Sequence, residues 1–219
     1  MDKGGSSPAV SAFLLIAIST VVAAFQAPTP GTEGTLFVTE RQNGTVSALD
    51  AATGARLWTG ATGASPIGVT QPHGTGRVYT SDEGSNQMTV LEAGSGLPLH
   101  SIAMGPLPHH LMASPNGKFV YVAEFGHNRI GVVDTTADVR VDGLVASPLA
   151  NARTHAVWVT ADGKHLYATN SRVNRAEVGD VAHLDLATGE LCNTVSTMTP
   201  LTLAKFCRFI TPRQCGHAR

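Results

Sequence analysis

The feature that most constrains this chain is a repeat. A tyrosine or phenylalanine within an apolar run recurs at Phe37, Tyr79, Tyr121 and Tyr167, and an acidic residue closes a second apolar run at Asp50, Glu92, Asp134 and Asp185. The first two intervals are 42 residues in both series; the third is 46 in one and 51 in the other. A repeat of this period, built from short β-type segments, specifies a radial array of four-stranded antiparallel sheets, one per repeat. The expected fold class is all-β, a propeller of such blades.

Laid over one another, the units share an order of pieces. The first reads TLFVTE (35–40), TVSALD (45–50), ARLWTG (55–60) and, after Ser65-Pro66, IGVTQ (67–71). RVYTSD (77–82), QMTVLE (87–92), LPLHSI (97–102) and HHLMAS (109–114) repeat it. KFVYVAE (118–124), RIGVVD (129–134), RVDGLV (140–145) and HAVWVT (155–160) follow, then KHLYATN (164–170), VAHLDL (181–186) and ELCNTV (190–195). Each piece is rich in Val, Ile, Leu, Thr and Tyr and is bounded by turn formers. Asn116-Gly117 and Asp162-Gly163 supply residues that tolerate positive φ between strands. The recurring acids precede turns and are expected to accept hydrogen bonds from turn amides, a structural role.

Slips in the period mark insertions. About four residues are added around Ala146 to Arg153 and about five around Arg172 to Gly179, by comparison with the units before them. Inserted residues between strands are expected on end-face loops, where binding surfaces lie. This places Arg153, Arg172, Asn174, Arg175 and Glu177 on longer polar loops.

Around the repeats, residues 1–24 read as a secretory leader or uncleaved anchor, with the apolar stretch Ala9–Ala24 too short for a comfortable span. Residues 25–33 read as a linker, 34–195 as the repeats, and 196–219 as an atypical tail in which Thr202–Phe206 resembles a last inner strand. The expected localisation is periplasmic, cell-surface or secreted. Cysteines 192, 207 and 215 all lie near the end, an odd count that permits one bridge, for instance Cys207–Cys215. With 15 basic against 16 acidic residues there is no field to attract a polyanion, which excludes nucleic acid as an expected partner.

The segment 108–135, PHHLMASPNGKFVYVAEFGHNRIGVVDT, resembles one unit of the YVTN-type β-propeller family, and 154–170 resembles the first half of the next. That resemblance, extended over residues 34–195, implies a propeller of about seven blades, commonly bacterial and extracytoplasmic or surface-associated. Four units are visible, and the first starts at its second strand, so the array is expected to be incomplete. A second resemblance sits in VSALDAATGARLW (46–58), similar to the repeat of quinoprotein dehydrogenases, in which Trp58 takes the place of a docking tryptophan.

Histidines offer the most pointed candidate chemistry. His109 and His155 hold one register in successive repeats, which predicts that both imidazoles face one end of the channel. His127, in a turn, is a candidate third ligand if the pair holds a transition metal. His109, His155, Arg153 and Arg172 are the expected ligand-binding residues. No cofactor is assigned; a transition metal or a noncovalent redox group is the alternative to none. No nucleophile elbow, zinc-protease helix or phosphate loop is present. The expected function is a non-catalytic module that binds a protein or cell-envelope ligand, with self-association or a missing propeller half as a further partner. The alternative is a redox-associated or lactonase-like domain that uses a histidine-lined rim, so enzyme status stays open.

Overall fold

Short runs that alternate β-branched and aromatic residues with glycine-bearing turns form strands throughout. The computed structural model describes residues 34–147, 152–172 and 180–196. Blade 1 holds β1 (Thr35–Glu40), β2 (Thr45–Asp50) and β3 (Arg56–Ala61). Blade 2 holds β4 (Pro66–Thr70), β5 (Arg77–Asp82), β6 (Gln87–Glu92) and β7 (Pro98–Ala103). Blade 3 holds β8 (Pro108–Ala113), β9 (Phe119–Glu124), β10 (Arg129–Asp134) and β11 (Val139–Val145). Blade 4 holds β12 (Ala152–Val159), β13 (His165–Arg172), β14 (Asp180–Asp185) and β15 (Leu191–Ser196).

Every sheet is an antiparallel meander in chain order: one of three strands, then three of four. The described residues form an all-β, incomplete propeller, and among them no innermost strand joins the first sheet. The expected leader, the linker and the tail beyond Ser196 lie outside the described residues. Cys192 is disulfide-bonded, which a bridge confined to Cys207 and Cys215 does not provide for; those two lie outside the described residues.

The blades stack by one rule. The tyrosine-bearing face of each sheet packs on the opposite face of the next. Tyr79 shares a core with Val120 and Val122 of blade 3, and Tyr121 with Val157, Leu166 and Ala168 of blade 4. Burial of each such side chain contributes about 1.5–3 kcal/mol. At the first junction Trp58 takes over. Its Nε1–H donates to the Ala93 carbonyl at 3.0 Å, and its ring covers Gly96.

Turn chemistry accounts for the far end. Asp50 accepts from the Ala52 and Thr53 amides, Asp134 from those of Thr136 and Ala137, and Asp185 from those of Ala187 and Thr188. The same turns place Gly54, Gly96, Asp138 and Gly189 at positive φ. Hydrogen bonds hold the three aspartates, and Glu92, below their ordinary carboxylate pKa. These acids shape turns, as their position before the turn predicts.

The insertions do not all become loops. Arg153 and Arg172 sit in β12 and β13, whose ladder pairs Ala152 with Arg172 and Arg153 with Ser171. The added residues prolong this hairpin to 8 residues a side because they continue its pairing. Asn174, Arg175 and Glu177 lie outside the described residues.

Candidate functional site

The innermost strands β4, β8 and β12 line up side by side, and each is bulged at the same place. Pairing slips between Pro66 and Gly68, between Pro108 and Leu111, and between Thr154 and Ala156. The extra residue in each case falls at Ile67, at His109-His110 and at His155. A bulge re-aims the side chain it carries and is frequent beside functional sites. Hydroxyls from the neighbouring blade hold the bulged backbone: Thr39 donates to the Ile67 carbonyl at 2.9 Å, and Ser81 donates to that of His109.

His109 and His155 therefore meet, with ring centroids 4.4 Å apart. Phe125, immediately after β9, packs 5.6 Å from His109 and 5.7 Å from His155. The Arg153 guanidinium lies over the Phe125 ring at 5.4 Å, a cation–π contact. Burial pushes the His109 pKa down, and the neighbouring His155 adds to this while Glu83 opposes it. His109 Nδ1 is buried and has no hydrogen-bond partner among the described residues, whereas His155 is exposed. Nearby, Arg41 pairs with Glu83 and ties blade 1 to blade 2. Arg41, Glu83 and Phe125 occupy one register, 42 residues apart.

Beneath this rim lies a set of buried polar residues at the end of each second strand, which fixes the crossovers leading into the bulged strands. Asp82 accepts from the Gly63 amide at 3.0 Å and from the Thr80 and Thr89 hydroxyls. Its pKa is raised, chiefly by burial. Glu124 accepts from the Gly105 amide at 2.8 Å and faces Arg140 at 2.9 Å. In blade 4 the role passes to Asn170, which donates to the Ala146 carbonyl, and to Asp180, which accepts from Asn170 and Ser147. These groups position the rim without reaching it.

The structure thus brings His109, His155 and Arg153 together. Arg172 has its backbone at the same end of blade 4, beside Ala152. His127 takes another partner: its Nε2 lies 3.4 Å from Glu124 Oε2. Among the described residues no group of three or more His, Cys, Asp or Glu could hold a metal ion. Phe125 is the member that sequence reasoning missed. Its signal is its place directly after the acid that ends the tyrosine strand.

Stacked meanders, bulged inner strands and a rim at one end define a blade-repeat propeller protein. The chain belongs to the family of the outer membrane protein assembly factor BamB, whose model matches residues 11–153. It is also similar to the hydrazine synthase of Kuenenia stuttgartiensis, with a TM-score of 0.69 and 26% identity over 74% of this chain and 46% of that one. The Cps50 (Swd1) β-propeller domain of Myceliophteria thermophila matches with a TM-score of 0.62 and 19% identity over 74% of this chain and 52% of the other. The chain spans about half the length of these structures. No curated protein matches it.

Proposed function

We propose that the chain is a non-catalytic, extracytoplasmic binding module that takes a polypeptide or envelope ligand on the rim formed by His109, Phe125, His155 and Arg153, with Arg172 at its edge. The observation that carries this reading is the convergence of one cation, one aromatic ring and two imidazoles at bulges shared by successive blades. Imidazole held neutral offers one N–H donor and one acceptor. Together with Arg153 and the Phe125 ring, it suits a ligand that presents a carboxylate beside an apolar group. The BamB family description and the apolar stretch at 9–24 support an extracytoplasmic location. The YVTN-type character of 108–135 and 154–170 is a finer assignment within the propeller class and rests on those motifs.

Panning a peptide library on the wild-type chain, with counter-panning on Phe125→Ala and Arg153→Ala, tests the proposal. Enrichment of acidic, apolar peptides that both variants lose is expected. No enrichment, or peptides that bind the variants equally well, would overturn it. The second reading, a redox or lactonase-like rim, draws on the close imidazole pair. Turnover of a lactone or reduction of an electron acceptor by the pure protein, abolished by His109→Ala, would put that reading first.

A further inference from the structure

At the end of the blades opposite the rim, the junction between blades 2 and 3 holds a polar cavity of 330 Å³. Three turns form it: β4–β5 with His73, β8–β9 with Asn116 and Lys118, and β10–β11 with Thr136. Arg77, the first residue of β5, also lines it. The turns meet closely because residue 117 is glycine; a Cβ there would lie 2.2 Å from the His73 carbonyl oxygen. The Thr135 hydroxyl donates to the Gly117 carbonyl at 2.6 Å, and Arg77 Nη1 donates to the Thr135 carbonyl at 3.3 Å. Asp138, outside the lining, pairs with Arg77 and accepts from the Tyr79 hydroxyl, so the guanidinium is held in place.

The chemistry of this lining is one-sided. Among the described residues it holds two cations, Arg77 and Lys118, one imidazole and no carboxylate. Asn116 Oδ1 accepts from the Ser114 hydroxyl at 2.7 Å and the Lys118 amide at 3.0 Å, which leaves the Nδ2 hydrogens as donors. The nearby acids serve the fold: Asp134 accepts from the Thr136 and Ala137 amides, and Asp138 holds Arg77. The repeat does not impose this set. At the next junction Pro115 and Phe119 take the places of His73 and Arg77, Asp162 that of Asn116, and Ala187 that of Thr136. We propose that the cavity binds a small hydroxylated phosphomonoester. Arg77 offers a planar fork and Lys118 a point charge to the phosphate, with Asn116 and Thr136 as neutral donors beside them. The volume is at the lower end for small-molecule sites, enough for glycerol or one sugar ring attached to the phosphate. No purely hydrocarbon side chain lines it, which favours hydroxyls on that remaining part. The phosphate group is common to soluble esters and to phospholipid headgroups. The site is separate from the rim and does not rest on the binding role proposed there.

Titration of glycerol 3-phosphate into the full 219-residue chain, followed by phosphorus NMR line broadening, tests this. Saturable binding with a Kd of about 1 mM or tighter is expected, and glycerol alone should not compete. Asn116→Asp keeps the acceptor used by Ser114 and Lys118, as Asp162 does for Thr160 and Lys164, but adds a carboxylate to the cavity. That variant and Lys118→Ala should each weaken binding about tenfold or more. Lys164→Ala, at the equivalent place in the next blade, should leave binding unchanged. Flotation with phosphatidylcholine vesicles containing phosphatidic acid separates the two sources. Co-flotation displaced by glycerol 3-phosphate identifies a lipid headgroup, and soluble binding without co-flotation identifies a free ester. No saturable binding by about 10 mM overturns the proposal. So does binding that survives both Asn116→Asp and Lys118→Ala, or competition by glycerol equal to that of its phosphate.

Discussion

Substituting alanine for glycine at two equivalent turns isolates the contribution of tryptophan docking between blades 1 and 2. Gly54 and Gly96 stand 42 residues apart at φ +71 and +73. A Cβ at Gly54 meets nothing within 4 Å, while one at Gly96 would lie 2.3 Å from Trp58 Cε3. Both substitutions incur the left-handed penalty of about 1–2 kcal/mol. Gly96→Ala must also displace the indole, breaking the hydrogen bond from Nε1 to Ala93, worth about 1 kcal/mol, and uncovering part of a buried aromatic. We expect Gly96→Ala to cost about 2–3 kcal/mol more than Gly54→Ala, by urea midpoint at constant m. In a Trp58→Ala background the difference should shrink to a few tenths of a kcal/mol, since no ring remains to be displaced. Equal effects of the two substitutions in the wild-type background would refute the docking argument.

Three further outcomes follow from the same geometry. His109 should titrate below its ordinary 6.5, and His155→Ala should raise that value by removing a like charge; a ring-nitrogen NMR titration reads both. Glu124→Gln should destabilise by about 2–4 kcal/mol, because it removes the buried charge facing Arg140, which itself retains 29% exposure; urea unfolding measures it. Asp50 has a folded pKa depressed below 3.8, so its stabilisation is present above that value and is lost as pH falls through the folded pKa. Unfolding curves for wild type and Asp50→Asn should therefore differ at neutral pH and converge in strong acid.

Strands were legible because every one is short, apolar on its faces and bracketed by a residue that permits a turn. Asp50, Asp134 and Asp185 were readable for the same local reason: each precedes the amides it caps. Trp58 could be placed from its position after the threonine-glycine turn. The rim was only half visible. Equivalent register put His109 and His155 at one end, but the bulges that turn the rings toward each other depend on pairing between strands, which no local pattern encodes. Phe125 looked like one more apolar residue beyond a strand, and its role arises because blade 4 brings Arg153 over it. Arg153 was expected on a loop because an insertion lengthens the chain there. Continued cross-strand pairing with Ser171 made it strand instead. The buried Asp82 and Glu124 recur 42 residues apart at the end of the tyrosine strand, a repetition that was not singled out because the crossover each one anchors is set by tertiary contacts.

The binding role of the rim is tested most directly by a photoreactive phenylalanine analogue placed at position 125, and at the exposed position 97 as a control, with illumination of intact expressing cells. A polypeptide adduct at 125, absent at 97 and lost with Arg153→Ala, is the predicted result. Adducts at 97 alone, or equal adducts at both positions that persist in Arg153→Ala, would contradict a ligand site at this end of the propeller.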